Sequence, residues 1–344
     1  MLASPVNPSD LNQIEGTYPV KGRFARELLL RKEEATSEPE QVVAAVGGNE
    51  GVGVVRAVGS AVSDLRVGDW VVPRRAGEFG TWCTHTMVRR DQVIGIPEEW
   101  RRGVDALTVG SIKVNPSTAY RLLRDFVGLR AGDWVIQNGA NSGVGRAVIQ
   151  LARPLGVHTI NVVRDRAEEA EYAGLERELK ELGADIVVRD SDLGSDAFKA
   201  QVRALGKHAV RLGLNCVGGR MTLAMTKHLA EGATLVSYGG MSRQPVVLPT
   251  SLLLFKDISA RGFWMNRWYE QQQQQQTAGE GGVVGERDRM WRDILQLARE
   301  GRFVAQPMHK VAWSDELLSL AEAQQLVRGA VDWSSGGKRA FVFG

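Results

Sequence analysis

Six short apolar runs alternate with helix-like stretches through the middle of this chain, and few folds accept that pattern. The runs lie at residues 134–136, 159–163, 185–188, 212–217, 234–238 and 258–263. Helical patterns fill 145–155, 166–182, 195–205 and 221–230. Strands and helices at this spacing call for right-handed βαβ crossovers and hence a parallel sheet. Six strands make a complete doubly wound nucleotide-binding sheet, so the expected fold class is α/β.

The sequence before this run reads differently. Residues 51–97 show short strands and glycine turns with little helix. Val67-Gly68-Asp69-Trp70-Val71 is a turn entering a strand, and Ala131-Gly132-Asp133-Trp134-Val135 repeats it. The expected organisation is a β-rich domain over 1–114, a nucleotide domain over 115–300, and a segment 301–344 that returns to the first domain. Asn115-Pro116 is expected to start a helix, with Asn as N-cap and Pro at the first helical position. Residues 287–299 read as a helix, and Phe341-Val342-Phe343 as a closing strand.

Two stretches read as insertions. Residues 21–41 set Arg23, Arg26, Arg31, Lys32, Glu33, Glu34, Glu38 and Glu40 around Leu28-Leu29-Leu30. That pattern suits a short amphipathic helix, a partner site or a solvated excursion, the last being the default. Gln271 to Gln276 is a polyglutamine run before a glycine-rich stretch, expected to form a low-complexity loop.

Composition narrows the chemistry. Of 344 residues, 43 are Lys or Arg and 40 Asp or Glu, so a net charge of +3 gives no basic footprint for nucleic acid. No apolar run approaches the roughly 18 residues of a membrane span. Two cysteines, Cys83 and Cys216, exclude a disulfide framework and a four-cysteine zinc site. The five histidines carry no HExxH spacing, and Cys83 with His85 lacks a third ligand, so no metal is expected. The start of the chain lacks both the apolar core of a signal peptide and the Arg-rich amphipathic pattern of a transit peptide. No GxSxG elbow supports a hydrolase.

The run Trp134–Gln137 enters Asn138-Gly139-Ala140-Asn141-Ser142-Gly143-Val144-Gly145 and then a helix. This is where a dinucleotide fingerprint sits, with small residues admitting the pyrophosphate to a helix N-terminus. The strict GxGxxG is absent; the register reads Ala140-x-Ser142-x-x-Gly145. The second run ends Val163-Arg164-Asp165-Arg166. NAD sites place an acid there for the ribose hydroxyls, whereas two arginines suit a 2′-phosphate. NADPH is the expected cofactor, and Asp165 keeps NAD open.

These residues resemble the medium-chain dehydrogenase/reductase superfamily, and within it the zinc-free mitochondrial 2-enoyl thioester reductases. The resemblance rests on Asn7-Pro8-Ser9-Asp10, Gly16-Thr17-Tyr18, Gly47-Gly48-Asn49-Glu50-Gly51, Asn115-Pro116-Ser117-Thr118-Ala119-Tyr120-Arg121, Asn141-Ser142-Gly143-Val144-Gly145 and Asn161-Val162-Val163-Arg164-Asp165-Arg166. It continues through Leu214-Asn215-Cys216-Val217-Gly218-Gly219, Ser237-Tyr238-Gly239-Gly240-Met241 and Arg261-Gly262-Phe263-Trp264. It implies a Rossmann-type sheet beside a β-rich GroES-like catalytic domain whose front strands, relative to the family pattern, are expected to be missing here.

The implied reaction passes hydride from NADPH to C3 of a trans-2-enoyl thioester, carried on acyl carrier protein or CoA, in mitochondrial fatty acid synthesis. Tyr18 matches the family tyrosine that protonates C2; a phenol, with an unperturbed pKa of about 10, holds its proton at neutral pH. Asn115 would lie near the nicotinamide or substrate. Asn141, Ser142, Gly143 and Val144 would cradle the pyrophosphate, and Arg164, Asp165 and Arg166 would meet the adenosine 2′-phosphate. Tyr238, Gly239, Gly240 and Met241 would follow the fifth strand at the ligand edge. Phe263, Trp264 and Met265 would line the nicotinamide or acyl pocket, and Lys338 would meet a cofactor phosphate. The family also implies a homodimer and a mitochondrial location.

Arg74-Arg75, Arg89-Arg90 and Arg101-Arg102 offer either a docking surface for an acidic carrier or dispersed solvated charge. A quinone or enone reductase of the same superfamily is the nearest rival, needing no Tyr18 donor. A non-catalytic NADPH-binding protein is the rival from another class.

Overall fold

The computed structural model describes residues 1–29, 40–277, 285–313, 320–332 and 337–344. Contacts divide the chain into two compact units. One joins Met1–Val114 to Tyr269–Gly344; the other is Asn115–Trp268. The expected boundary at 114/115 coincides with this division. The return to the first unit begins at Tyr269, well before the expected residue 301, so the helix at 286–299 belongs with the first unit.

The first unit opens with β1 (Ala3–Pro5) and helix α1 (Pro8–Ile14), followed by β2 (Ala25–Leu29) and β3 (Glu40–Ala44). Strands β2 and β3 pair antiparallel, Ala25 opposite Ala44 and Leu29 opposite Glu40. No helix forms in the described part of the 21–41 stretch; residues 30–39 lie outside the described residues. Strands β4 (Gly53–Val54), β5 (Trp70–Pro73) and β6 (Val93–Ile96) then form an antiparallel sheet, and short helices α2 (Glu98–Arg101) and α3 (Ala106–Gly110) follow.

In the nucleotide unit, α4 (Asn115–Leu122) starts on Asn115 itself. Residues 111–114 are already turn-shaped after α3, so Asn115 is not the extended N-cap expected of it. The βα series then runs β7 (Trp134–Asn138), α5 (Gly143–Ala152), β8 (His158–Val163), α6 (Glu169–Glu181), β9 (Ile186–Arg189), α7 (Asp196–Ala204), β10 (Val210–Asn215), α8 (Gly219–Thr226), β11 (Thr234–Ser237), α9 (Thr250–Lys256) and β12 (Ser259–Gly262). All six strands are parallel, in the order β12-β11-β10-β7-β8-β9, as the apolar runs imply. Both faces are covered: neighbours Val187 and Val188 of β9 point into two separate apolar clusters, one around Leu179 and Ile149, the other around Phe198 and Leu229.

Helix α10 (Met265–Thr277) carries the chain back to the first unit. The polyglutamine run is the second half of this helix, not a loop. Glutamine is a good helix former, and no Gly or Pro interrupts the stretch before Thr277. Helix α11 (Glu286–Arg299), strand β13 (Met308–Trp313), helix α12 (Leu320–Val331) and strand β14 (Lys338–Phe343) complete the unit. β14 lies between β1 and β13, and Phe341, Phe343, Trp82 and Val6 form an apolar cluster beneath it.

Candidate functional site

Parallel strands send every following loop to the same edge of the sheet, and this is where the expected cofactor residues gather. After β7, Ser142 caps α5, its hydroxyl oxygen accepting from Gly145 N at 3.2 Å. The first turn of α5 thus presents the N–H groups of Gly143 and Val144, which have no acceptor within the helix. Asn141 is held from behind by the Arg146 guanidinium on its carbonyl at 3.1 Å; that guanidinium also forms a two-pronged bridge to Glu178 at 2.7 and 2.9 Å.

Two glycines make this geometry possible. Gly139 has φ +59°, and a Cβ there would fall 2.6 Å from Cys216 Sγ. A Cβ on Gly145 would fall 2.5 Å from the Ala140 carbonyl oxygen. That second clash is with backbone and has no cheap relief.

After β8, Arg164 and Asp165 are exposed and Arg166 is half-buried. Asp165 is occupied by its own turn: its amide donates to Asp190 and its carboxylate accepts from Ser191 Oγ at 3.0 Å. Arg166 turns back onto the Arg164 carbonyl at 2.8 Å, while the Arg164 side chain is exposed. After β11, the 238–241 segment is tied to the end of β10, Met241 N donating to Cys216 O at 2.9 Å. Gly239, Gly240 and Met241 are exposed. The Tyr238 hydroxyl is buried beside Ser142 and Cys216 without closing a hydrogen bond to either, and burial pushes its pKa well above the usual value. After β12, Phe263 packs edge-on to Phe126, Trp264 is half-buried, and Met265 is core, at 6 % exposure.

Two further residues at this edge carry structural weight. Asn138 and Asn215 are wholly buried and join three strand ends. Asn138 donates to Asn215 Oδ1 at 2.8 Å and accepts from Cys216 N at 2.8 Å, while Asn215 donates to Ser237 Oγ at 2.9 Å. The visible signal is an amide at the end of each of two apolar runs, where an unpaired polar group would be costly.

In the first unit, Tyr18 follows the C-terminus of α1. The Asn12 carbonyl accepts from the amides of Thr17 and Tyr18, at 2.9 and 3.0 Å, and from the Thr17 hydroxyl at 3.1 Å. The tyrosine is half-buried. Lys338 is placed differently from the expectation. It is 5 % exposed, and its ammonium donates to Asn7 Oδ1 at 2.7 Å, with the carboxylates of Glu50 and Asp10 close by. It neutralises a buried acid cluster and is not presented outward to a phosphate. Asn115 is half-buried at the head of α4.

The paired arginines are largely consumed internally. Arg89 bridges Asp91, Arg90 bridges Asp64, Arg102 bridges Glu98, and Arg101 stacks over Trp70. Arg74 donates to the carbonyls of Asp91 and Val93, and Arg75 to Gln273. Among the described residues, no group of three or more His, Cys, Asp or Glu is placed to hold a metal ion.

Sequence models for two families match: an alcohol dehydrogenase GroES-like domain over residues 1–109 and a zinc-binding dehydrogenase over 143–278. The mitochondrial enoyl-acyl-carrier-protein reductase of Xenopus tropicalis is 42% identical over 326 residues, covering 94% of this chain and 82% of that one. The chain belongs to the mitochondrial enoyl-acyl-carrier-protein reductase family. The reductase of this family from Rattus norvegicus is 46% identical over 268 residues, 78% of this chain and 64% of its own length. Among solved structures, the 2-enoyl thioester reductase Etr1p, from a Candida tropicalis heterodimer, aligns at TM-score 0.81 and 34% identity. That alignment covers 99% of this chain and 89% of Etr1p, and Etr1p is also solved with NADP and crotonyl-CoA, at the same TM-score. The Ser142-capped loop, the exposed Arg164 and the Tyr238 hydroxyl, which has no hydrogen-bond partner within normal distance among the described residues, are donors of the kind a phosphorylated dinucleotide takes.

Proposed function

We propose that this chain is an NADPH-dependent enoyl thioester reductase that saturates the C2=C3 bond of trans-2-enoyl thioesters, with Tyr18 as the proton donor to C2. The observation that carries the reading is the match over 99% of the chain to a reductase solved with NADP and crotonyl-CoA. NADPH, when bound, supplies the hydride that adds at C3. The protein's own residues do the rest. The first turn of α5 offers N–H groups and the positive end of a helix dipole to the pyrophosphate. Arg164 and Arg166 offer charge and a donor fork to the 2′-phosphate. The phenol of Tyr18 gives its proton to C2 as negative charge develops there, which completes the reduction.

The test is NADPH oxidation with a series of trans-2-enoyl-CoA lengths, with NADH and a quinone as controls. Turnover of enoyl-CoA with NADPH is expected; absence of turnover at every length sinks the reading. Removing Arg164 as Arg164→Ala is expected to raise KM for NADPH about tenfold, the loss of one charge-assisted contact, and to leave KM for NADH unchanged. Equal effects on both cofactors would remove the arginine from phosphate recognition.

The reading includes an acyl-carrier-protein-bound substrate, a mitochondrial location and a homodimer. Support for the dimer comes from the sheet edge. All four residues of β12 are exposed at the end of the six-stranded sheet, and α9, which immediately precedes it in the chain, exposes Leu253, Leu254 and Phe255 at 41, 70 and 79 %. A strand at the sheet edge and a helix with an exposed apolar face suit a second copy related by a twofold axis. Leu254→Glu with Phe255→Glu is expected to convert a dimer to a monomer in sedimentation; an unchanged mass would place the interface elsewhere.

A further inference from the structure

The buried polar cluster of the first unit has a directionality that packing alone does not require. Asn7, Asp10, Asn49, Glu50 and Lys338 are each at most 5 % exposed. Helix α1 begins in this cluster and ends at the turn that carries Tyr18. Asp10 accepts from Asn7 N at 2.7 Å and from the side chain and amide of Asn49 at 2.7 and 3.0 Å. Asn49 also donates to Gln13, one turn further along α1, at 2.9 Å.

Glu50 closes the arrangement. Its Oε2 accepts from Asn7 Nδ2 at 2.9 Å, and its Oε1 accepts from Val114 N at 2.6 Å. Val114 is the last residue before Asn115. One carboxylate therefore ties the head of α1, the helix that precedes the Tyr18 turn, to the Val114 amide.

The orientation of every group is forced. Lys338 can only donate, so Asn7 must turn its oxygen to Lys338 and its NH2 to Glu50. Val114 N–H can only donate as well. Glu50 faces a donor at each oxygen, and an amide in its place would set NH2 against one of them. Burial raises the pKa of Glu50, Lys338 and the Asn7 and Val114 donors oppose that, and Asp10 adds to it.

We infer that Glu50 is a positioning residue for the reduction: as a double acceptor between Asn7 and Val114, it fixes where α1 carries Tyr18. The inference rests on the reading of Tyr18 as proton donor. A donor displaced by about 1 Å can cost on the order of a hundredfold in rate. Glu50→Gln keeps the shape and reverses one hydrogen-bond partner. It is expected to lower kcat on crotonyl-CoA at least tenfold per folded molecule, with NADPH affinity by fluorescence titration unchanged within about twofold.

The compensating pair is Asn7→Asp with Glu50→Gln. There the new carboxylate at position 7 accepts from Lys338 and from the new amide at position 50, whose oxygen still accepts from Val114. The pair is expected to recover kcat to within about threefold of the parent. If Glu50 acts through the tyrosine, adding Glu50→Gln to Tyr18→Phe costs little beyond Tyr18→Phe alone.

A Glu50→Gln enzyme with parental kcat overturns the inference, as does a pair no faster than Glu50→Gln or full additivity with Tyr18→Phe. Parental turnover in Tyr18→Phe itself overturns the donor assignment instead, so the two failures are distinguishable.

Discussion

Tyr18→Phe will slow crotonyl-CoA reduction by roughly a hundredfold to ten-thousandfold, the span that a positioned general acid contributes. The substitution removes one oxygen and little else. The turn that presents residue 18 is held by main-chain bonds to the Asn12 carbonyl, and these do not depend on the phenol. The residues proposed for the dinucleotide (141–144 and 164–166) belong to the other compact unit, so NADPH affinity should stay within about twofold of the parent. The loss should therefore fall on kcat, and a solvent isotope effect should grow as proton delivery becomes limiting. Quinone reduction, if the chain supports any, needs no proton at C2 and should be spared. Parental kcat on the enoyl thioester would mean that the proton reaches C2 by another route.

The dinucleotide edge and the acid cluster differ sharply in how much of them the sequence carries. The six strands are legible because a parallel sheet is buried on both faces, so each strand is a plain apolar run. The glycine loop is legible because two of its positions tolerate no side chain, and such positions must be glycine. By contrast, Lys338 reads as an exposed cation near a terminus. Its burial comes from Asn7, Asp10 and Glu50, hundreds of residues away in the chain, and nothing local announces them. Asn138 and Asn215 are similar: each looks like a polar interruption, and only the pairing of β7 with β10 makes them partners. The polyglutamine run shows the opposite error. Low complexity suggests a loop, but a run of helix-competent residues after a formed first turn continues the helix.

Lys113 gives a second large effect, on stability. The side chain is 3 % exposed, and among the described residues its ammonium has no hydrogen-bond partner. It lies 5.7 Å from the ring centroid of Tyr269, whose hydroxyl donates to the Lys113 carbonyl at 2.9 Å and accepts from Trp291 Nε1 at 3.1 Å. Burial lowers its pKa from 10.5 to about 8; Glu50 and Glu78 offset part of that, and Arg74 adds to it. An amine whose folded pKa is depressed opposes folding wherever the unfolded chain is protonated. Below pH 8 both states carry the proton and the penalty is complete. Between about pH 8 and 10.5 the folded amine is neutral while the unfolded one is still charged, so the penalty shrinks as pH rises. A depression from 10.5 to about 8 corresponds to roughly 3 kcal/mol at pH 7. Lys113→Met, which keeps the length and removes the charge, should therefore stabilise the protein by about that amount at pH 7, a rise of several degrees in Tm. The advantage should fade toward pH 10. Equal Tm differences at pH 7 and pH 10 would show that the ammonium is not the source, because a pure packing gain has no reason to titrate.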